Sequence, residues 1–113
     1  MENSGESIGE LNTDEDELHA AFSERMITAC EYATESFGEY TSTLHAVHTL
    51  SKCIQMITKA SRGVTDAESL QDSIADAMIS MVQLIQIFGE SQFIDSLDLK
   101  IKRLEWLTLK NLK

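Results

Sequence analysis

The sequence predicts an all-α fold, a four-helix bundle, and three observations lead there. Proline is absent from all 113 residues, so no position in the chain forbids the continuation of a helix. Apolar residues recur every three or four positions almost throughout, which is the period of a helix face and not of a strand. Glycines stand where those runs stop, and no alternating run bounded by hairpin signals appears. Apolar residues make up 42% and charged residues 25% of the chain, the balance of a globular domain. A core of this size divides poorly, so 13–113 reads as a single domain behind an acidic, flexible tail at 1–12.

The helices follow in order. Thr13 with Asp16 resembles a capping box, and Leu18, Phe22, Met26, Ala29 and Ala33 form the apolar stripe of a first helix ending near Phe37-Gly38. Leu44, Val47, Leu50, Ile54 and Ile57 mark a second, closed at Arg62-Gly63, where glycine accepts the left-handed conformation of a helix end. Thr65 or Asp66 caps a third, carried by Leu70, Ile74, Ala77, Met81, Leu84 and Phe88 up to Gly89. From Ser91 a fourth carries Phe93, Ile94, Leu97, Ile101 and Leu104, then Trp106, Leu107 and Leu109, with Lys100, Lys102 and Arg103 between them. These stripes are the faces expected to pack, with the five methionines as adaptable core filler. The third helix is apolar off its stripe too, at Met78, Ile79, Val82, Ile85 and Ile87. A small monomer covers so much surface poorly, which predicts a homodimer or homotetramer.

The charge is unevenly placed. Residues 1–40 hold eleven acids and Arg25 as their one Lys or Arg, whereas 41–113 hold eight of each sign, for a net −10. A basic surface for nucleic acid is missing, so direct nucleic-acid binding is not expected. Asp14, Glu15, Asp16, Glu17, Glu24, Glu31 and Glu35 offer instead an acidic face to a basic protein partner, or simply solvate the helix and favour its positive end. No run reaches the length of a membrane span and the start has no leader-like apolar run, so the expected location is the cytoplasm, with no membrane association. Cys30 and Cys53 lack metal-ligand spacing and are expected to be buried free thiols.

From Phe37-Gly38-Glu39 to Phe88-Gly89 the sequence resembles the small MazG-like nucleotide pyrophosphohydrolases of phages and bacteria. The segments that carry the likeness are SKCIQMITKASRG (51–63) and DSIADAMISMVQLIQIFG (72–89), with a weaker one in LDLKIKRLE (97–105). The resemblance implies a helical bundle. In its active members Glu-x-x-Glu on the second helix faces Glu-x-x-Asp on the third, and these carboxylates hold magnesium for hydrolysis of a nucleoside triphosphate to monophosphate and pyrophosphate. Residues three apart project to one helix face, so two such pairs make a ring of hard oxygen ligands.

Carried onto this chain, the four positions are Thr49, Lys52, Ser73 and Asp76. Three of the four carboxylates are replaced, with His48 and Asp72 as the preceding neighbours. An ammonium at Lys52 repels magnesium and is expected to pair with Asp76, or Asp76 caps a neighbour. The expected function is therefore a non-catalytic MazG-like protein that keeps the bundle and binds a host protein, in the host cytoplasm if phage-encoded, with no metal or cofactor. The degenerate-cleft positions His48, Thr49, Lys52, Asp72, Ser73 and Asp76 are the candidate contacts for a partner or nucleotide. Two alternatives stand beside it: an active magnesium-dependent enzyme using Asp72 and Asp76 with acids of the first helix or another subunit, and a catalytically dead nucleotide binder using Lys52, His48 and Arg62. His45 and His48, three apart, lack an evident third metal ligand. Asp66, Glu68, Asp72 and Asp76 form a further acidic group near a helix start.

Overall fold

The structure, a computed structural model, describes residues 23–112. It is an all-α bundle of four helices: α1 through the described residues 23–37, α2 Glu39–Ser61, α3 Ala67–Phe88 and α4 Glu90–Leu112, with no strand among the described residues. The expected tail at 1–12, the Thr13–Asp16 capping box, Leu18 and Phe22 lie outside the described residues. No described helix is long and apolar enough to cross a membrane.

Helix boundaries fall where the glycines are. Gly38 separates α1 from α2 with φ +89°, yet its N–H donates to the Thr34 carbonyl at 2.8 Å and its carbonyl accepts from the Ser42 N–H at 3.0 Å. The chain turns there while its backbone groups stay paired. At the end of α2, the Val64 N–H donates to the Lys59 carbonyl at 2.9 Å and the Gly63 N–H to Ala60 at 3.0 Å, with Gly63 at φ +71°. This is the Schellman closure that glycine permits without strain. Of the two expected caps for α3 it is Asp66 that serves, accepting from the Ser69 N–H at 2.8 Å.

Antiparallel packing of α2 on α3 makes the centre. Thr49 meets Ser80, while Lys52 and Met56 share a recess with Ser69 and Ser73. The buried face of α2 is Ser42, Ala46, Thr49 and Cys53, and that of α3 is Ser73, Ala77, Ser80 and Gln83. Small side chains thus fill the seam, which lets the helices approach closely. Of the apolar stripes expected to pack, Ala77 is buried in this seam and Leu50, Leu70 and Leu84 are half-buried, whereas Leu44, Val47, Ile54 and Ile57 on α2, and Ile74, Met81 and Phe88 on α3, are exposed, Phe88 at 72%. Helical geometry places these exposed residues, Leu44 excepted, roughly 100° around from the buried positions on both helices. In an antiparallel pair that puts them side by side on one face of the α2–α3 layer. Met78 and Met81 are exposed as well, so they are not the core filler that composition suggested.

α1 packs on α3 from the other side. Gln83 Nε2 donates to Thr34 Oγ1 at 3.0 Å, Gln86 Nε2 donates to the Ile27 carbonyl at 3.0 Å, and the Cys30 thiol donates to the Ile79 carbonyl at 3.6 Å. Cys30 and Cys53 are buried free thiols, as their surroundings implied. Burial pushes the Cys30 thiol above its ordinary value, which favours the unreactive protonated form. α4 has no buried residue among those whose exposure is described.

Two measurements check the helix ends. Gly63→Ala forces an L side chain into left-handed backbone and should lower the unfolding free energy by about 1 kcal/mol in urea titration. Hydrogen bonds from Ser69, side chain first and backbone second, hold the Asp66 carboxyl below its ordinary 3.8. A folded value below the unfolded one stabilises above the unfolded pKa, and that stabilisation disappears as pH falls through the folded one. Asp66→Ala should therefore melt below the parent at neutral pH, and the difference should close on acidification beneath the carboxylate range.

Candidate functional site

The positions that the MazG-like resemblance marks as metal ligands sit on facing stretches of α2 and α3, but they do not surround one open cleft. Thr49 is 7% exposed; its hydroxyl donates to Ser80 Oγ at 2.7 Å and lies 3.2 Å from the Ala46 carbonyl. Ser73 is 4% exposed, and its hydroxyl has no partner among the described residues. Both therefore belong to the helix seam. A carboxylate at either place would be a buried charge, costly unless a cation met it there.

Outside the seam lies a recess of about 200 Å³ lined by Lys52, Met56, Ser69, Asp72 and Ser73. Folding thus brings together Lys52, Asp72 and Ser73 of the six candidate positions. Lys52, Asp72, His48 and Asp76 are exposed. The expected Lys52–Asp76 ion pair is not formed: among the described residues the salt bridge within 4.0 Å is Lys102–Asp98, at 3.0 Å on α4. Both groups are in solvent, where an ion pair gains little over hydration, so no force holds two side chains together against their rotamer freedom.

Metal-ligating groups do not converge among the described residues. No three His, Cys, Asp or Glu side chains there are placed to hold one ion. His45 and His48 stack loosely, with ring centroids 6.5 Å apart, and both are exposed. Asp66 is committed to the α3 cap and Glu68 to its first turn. The alternative ligand set of Asp72 and Asp76 therefore gains no third acid from Glu24, Glu31 or Glu35. Those three glutamates are all exposed on α1, and their spacing places them on one helical stripe. Asp14, Glu15, Asp16 and Glu17 lie outside the described residues.

Sequence reading overlooked the polar set of the buried Ser42, Ser80 and Gln83 with the half-buried Gln86 and Thr34. Its signal was present in the alternating steps of four and three through Ser42, Ala46, Thr49 and Cys53, and through Ser73, Ala77 and Ser80. Between α1 and α3 there is also an apolar groove of about 500 Å³, with Met26, Cys30, Ala33, Ala75 and Met78 among its walls and Arg25 at its edge.

Compared with known proteins, the chain matches no family model, and no curated protein or solved structure is significantly similar to it. The MazG-like likeness accordingly stands on the two motif segments, 51–63 and 72–89.

The two buried hydroxyls should respond oppositely to removal. Thr49→Val deprives Ser80 of its partner and should cost about 1–2 kcal/mol in urea unfolding. Ser73→Ala deletes an unpaired buried group and should leave stability unchanged or raise it by up to about 1 kcal/mol. A loss at Ser73 as large as that at Thr49 would mean that its hydroxyl is bonded.

Proposed function

We propose that this chain is a non-catalytic MazG-like protein of phage type that acts in the cytoplasm by binding a host protein and assembles with itself. The observation that carries this reading is the chemistry at the degenerate ligand positions: hydroxyls at 49 and 73 and an ammonium at 52, the two hydroxyls lying in the helix seam. A divalent cation needs hard anionic oxygens in a ring open to the triphosphate, and these groups supply neither the charge nor the opening. Association has the surface it needs. Among the described residues nothing covers the apolar flank formed by Val47, Ile54, Ile57, Ile74 and Met81, and an exposed apolar face of that kind marks a protein-binding surface. The glutamate stripe of α1 gives the partner a basic character.

A second reading is favoured by the recess beside Lys52. An ammonium with the Ser69 hydroxyl beside it suits phosphate oxygens, which makes a nucleotide held without turnover the competing function, although Asp72 on the same wall opposes an anion.

Incubation with each common nucleoside triphosphate and magnesium or manganese should release no pyrophosphate above the protein-free rate. Robust release from any of them overturns the non-catalytic reading and restores the enzyme. A nucleotide-dependent rise in melting temperature without turnover, lost in Lys52→Ala, selects the second reading. Once a partner is in hand, replacing Glu24, Glu31 and Glu35 together by Gln should weaken its binding roughly tenfold at low salt and less at high salt.

A further inference from the structure

The fourth helix poses a physical problem of its own, independent of whether the cleft binds or cuts anything. α4 spans 23 residues, and none of its residues is buried among those whose exposure is described. In proteins most helical stability comes from packing an apolar face rather than from intrinsic propensity, so a helix with none of its faces buried lacks its main support. Its internal supports are small: the exposed Asp98–Lys102 pair at 3.0 Å and Lys110 over the Trp106 ring at 5.1 Å. Meanwhile Ile94, Leu97, Ile101 and Leu104 stand 59%, 43%, 47% and 64% exposed. Some other surface must cover them.

The sequence of the stripe says which. Spacings of three and four make Ile94 and Ile101 the a positions and Leu97 and Leu104 the d positions of a heptad, and Thr108, again β-branched, is the next a. Isoleucine at a with leucine at d is the combination that favours a parallel two-stranded coiled coil, since at a the β-branched side chain suits parallel knob-into-hole packing and at d leucine does. The flanks agree. On the e side of the stripe lie Asp98 and Glu105, with Asp95 and Lys102 beside them, whereas the g side carries Lys100 between the apolar Phe93 and Leu107, with Arg103 and Lys110 beside it. A parallel pair sets the g side of each helix against the e side of its mate, so Lys100 reaches the partner's Glu105, twice by symmetry. An antiparallel pair instead sets g against g and e against e, facing Lys100 with another Lys100 and Asp98 with another Asp98. Neither Lys100 nor Glu105 has an ion-pair partner within 4.0 Å among the described residues.

We infer that the occupant of this face is a second copy of the chain, joined through α4 in a parallel, two-stranded, two-fold-symmetric coiled coil from about Ile94 to Asn111. Leu99 and Trp106 fall at the outward f positions and stay outside the seam.

The full-length chain should sediment at twice its 12.6 kDa mass at micromolar concentration. Asn111→Cys tests direction, because d meets d only in a parallel pair. It should form an intermolecular disulfide under mild oxidation, and Leu99→Cys, facing outward, should not. In an antiparallel pairing centred between Leu97 and Ile101 the two 111 positions would stand roughly 36 Å apart. Lys100→Glu and Glu105→Lys should each weaken the dimer about fivefold or more, and the double variant K100E/E105K should recover it. Leu97→Asp should give a monomer, and circular dichroism will show whether α1–α3 remain helical, while Leu99→Asp should stay dimeric. A chain that is monomeric across the concentration range overturns the inference. So does a dimer in which Asn111→Cys fails to cross-link or the charge swap fails to rescue, since such a dimer is antiparallel or joined through the α2–α3 flank.

Discussion

The close approach of α2 and α3 through small side chains governs the molecule. Ala46 and Ala77 are 1% and 3% exposed, and around them Ser42, Thr49, Cys53, Ser73 and Ser80 complete a seam with almost no bulk. Backbones brought together this way exclude large residues from the interface, so leucine, isoleucine and methionine are displaced to its flank. The seam also contains hydroxyls, which must be paired to be tolerated. Thr49 with Ser80 meets that condition and Ser73 does not. The described residues have a centre of modest hydrophobic content and a strongly apolar outside, the reverse of a stable monomer.

That arrangement bears directly on the chemistry of the central helices. Positions that serve as metal ligands in the family this chain resembles need open space between the helices for an ion and its waters. Here Thr49 and Ser73 are small enough to let the helices close, while Lys52 and Asp76 are exposed. The hydroxyls of Thr49 and Ser73 carry no charge and leave the helices no reason to stand apart. What stays open is a shallow polar recess at the edge, where Lys52 and Asp72 offer opposite charges to solvent.

The distribution of charge and apolar surface assigns different work to the two ends of the chain. α1 is anchored to α3 by three hydrogen bonds and turns its glutamates outward. α4 carries an exposed apolar stripe at Ile94, Leu97, Ile101 and Leu104 with charged residues on both its edges. The α2–α3 flank is broad and nearly uncharged, with no such edging, so it provides adhesion with less selectivity.

Helix number, helix limits and cap chemistry were determined by the sequence alone, because glycine at Gly38, Gly63 and Gly89 and the Asp66 side chain act through local backbone geometry. So were the buried thiols, which the helix-like surroundings of Cys30 and Cys53 imply. Which face of α2 and α3 turns inward was decided by tertiary structure. Hydrophobic periodicity reports that a face avoids water, but it does not say whether the same chain or another covers it, and small residues such as Ser42, Ala46 and Ser80 hardly register on any hydropathy scale. The Lys52–Asp76 pair failed for a related reason: spacing along two helices brings charges into the same neighbourhood, whereas burial, which would make their attraction outweigh hydration, depends on how the helices pack.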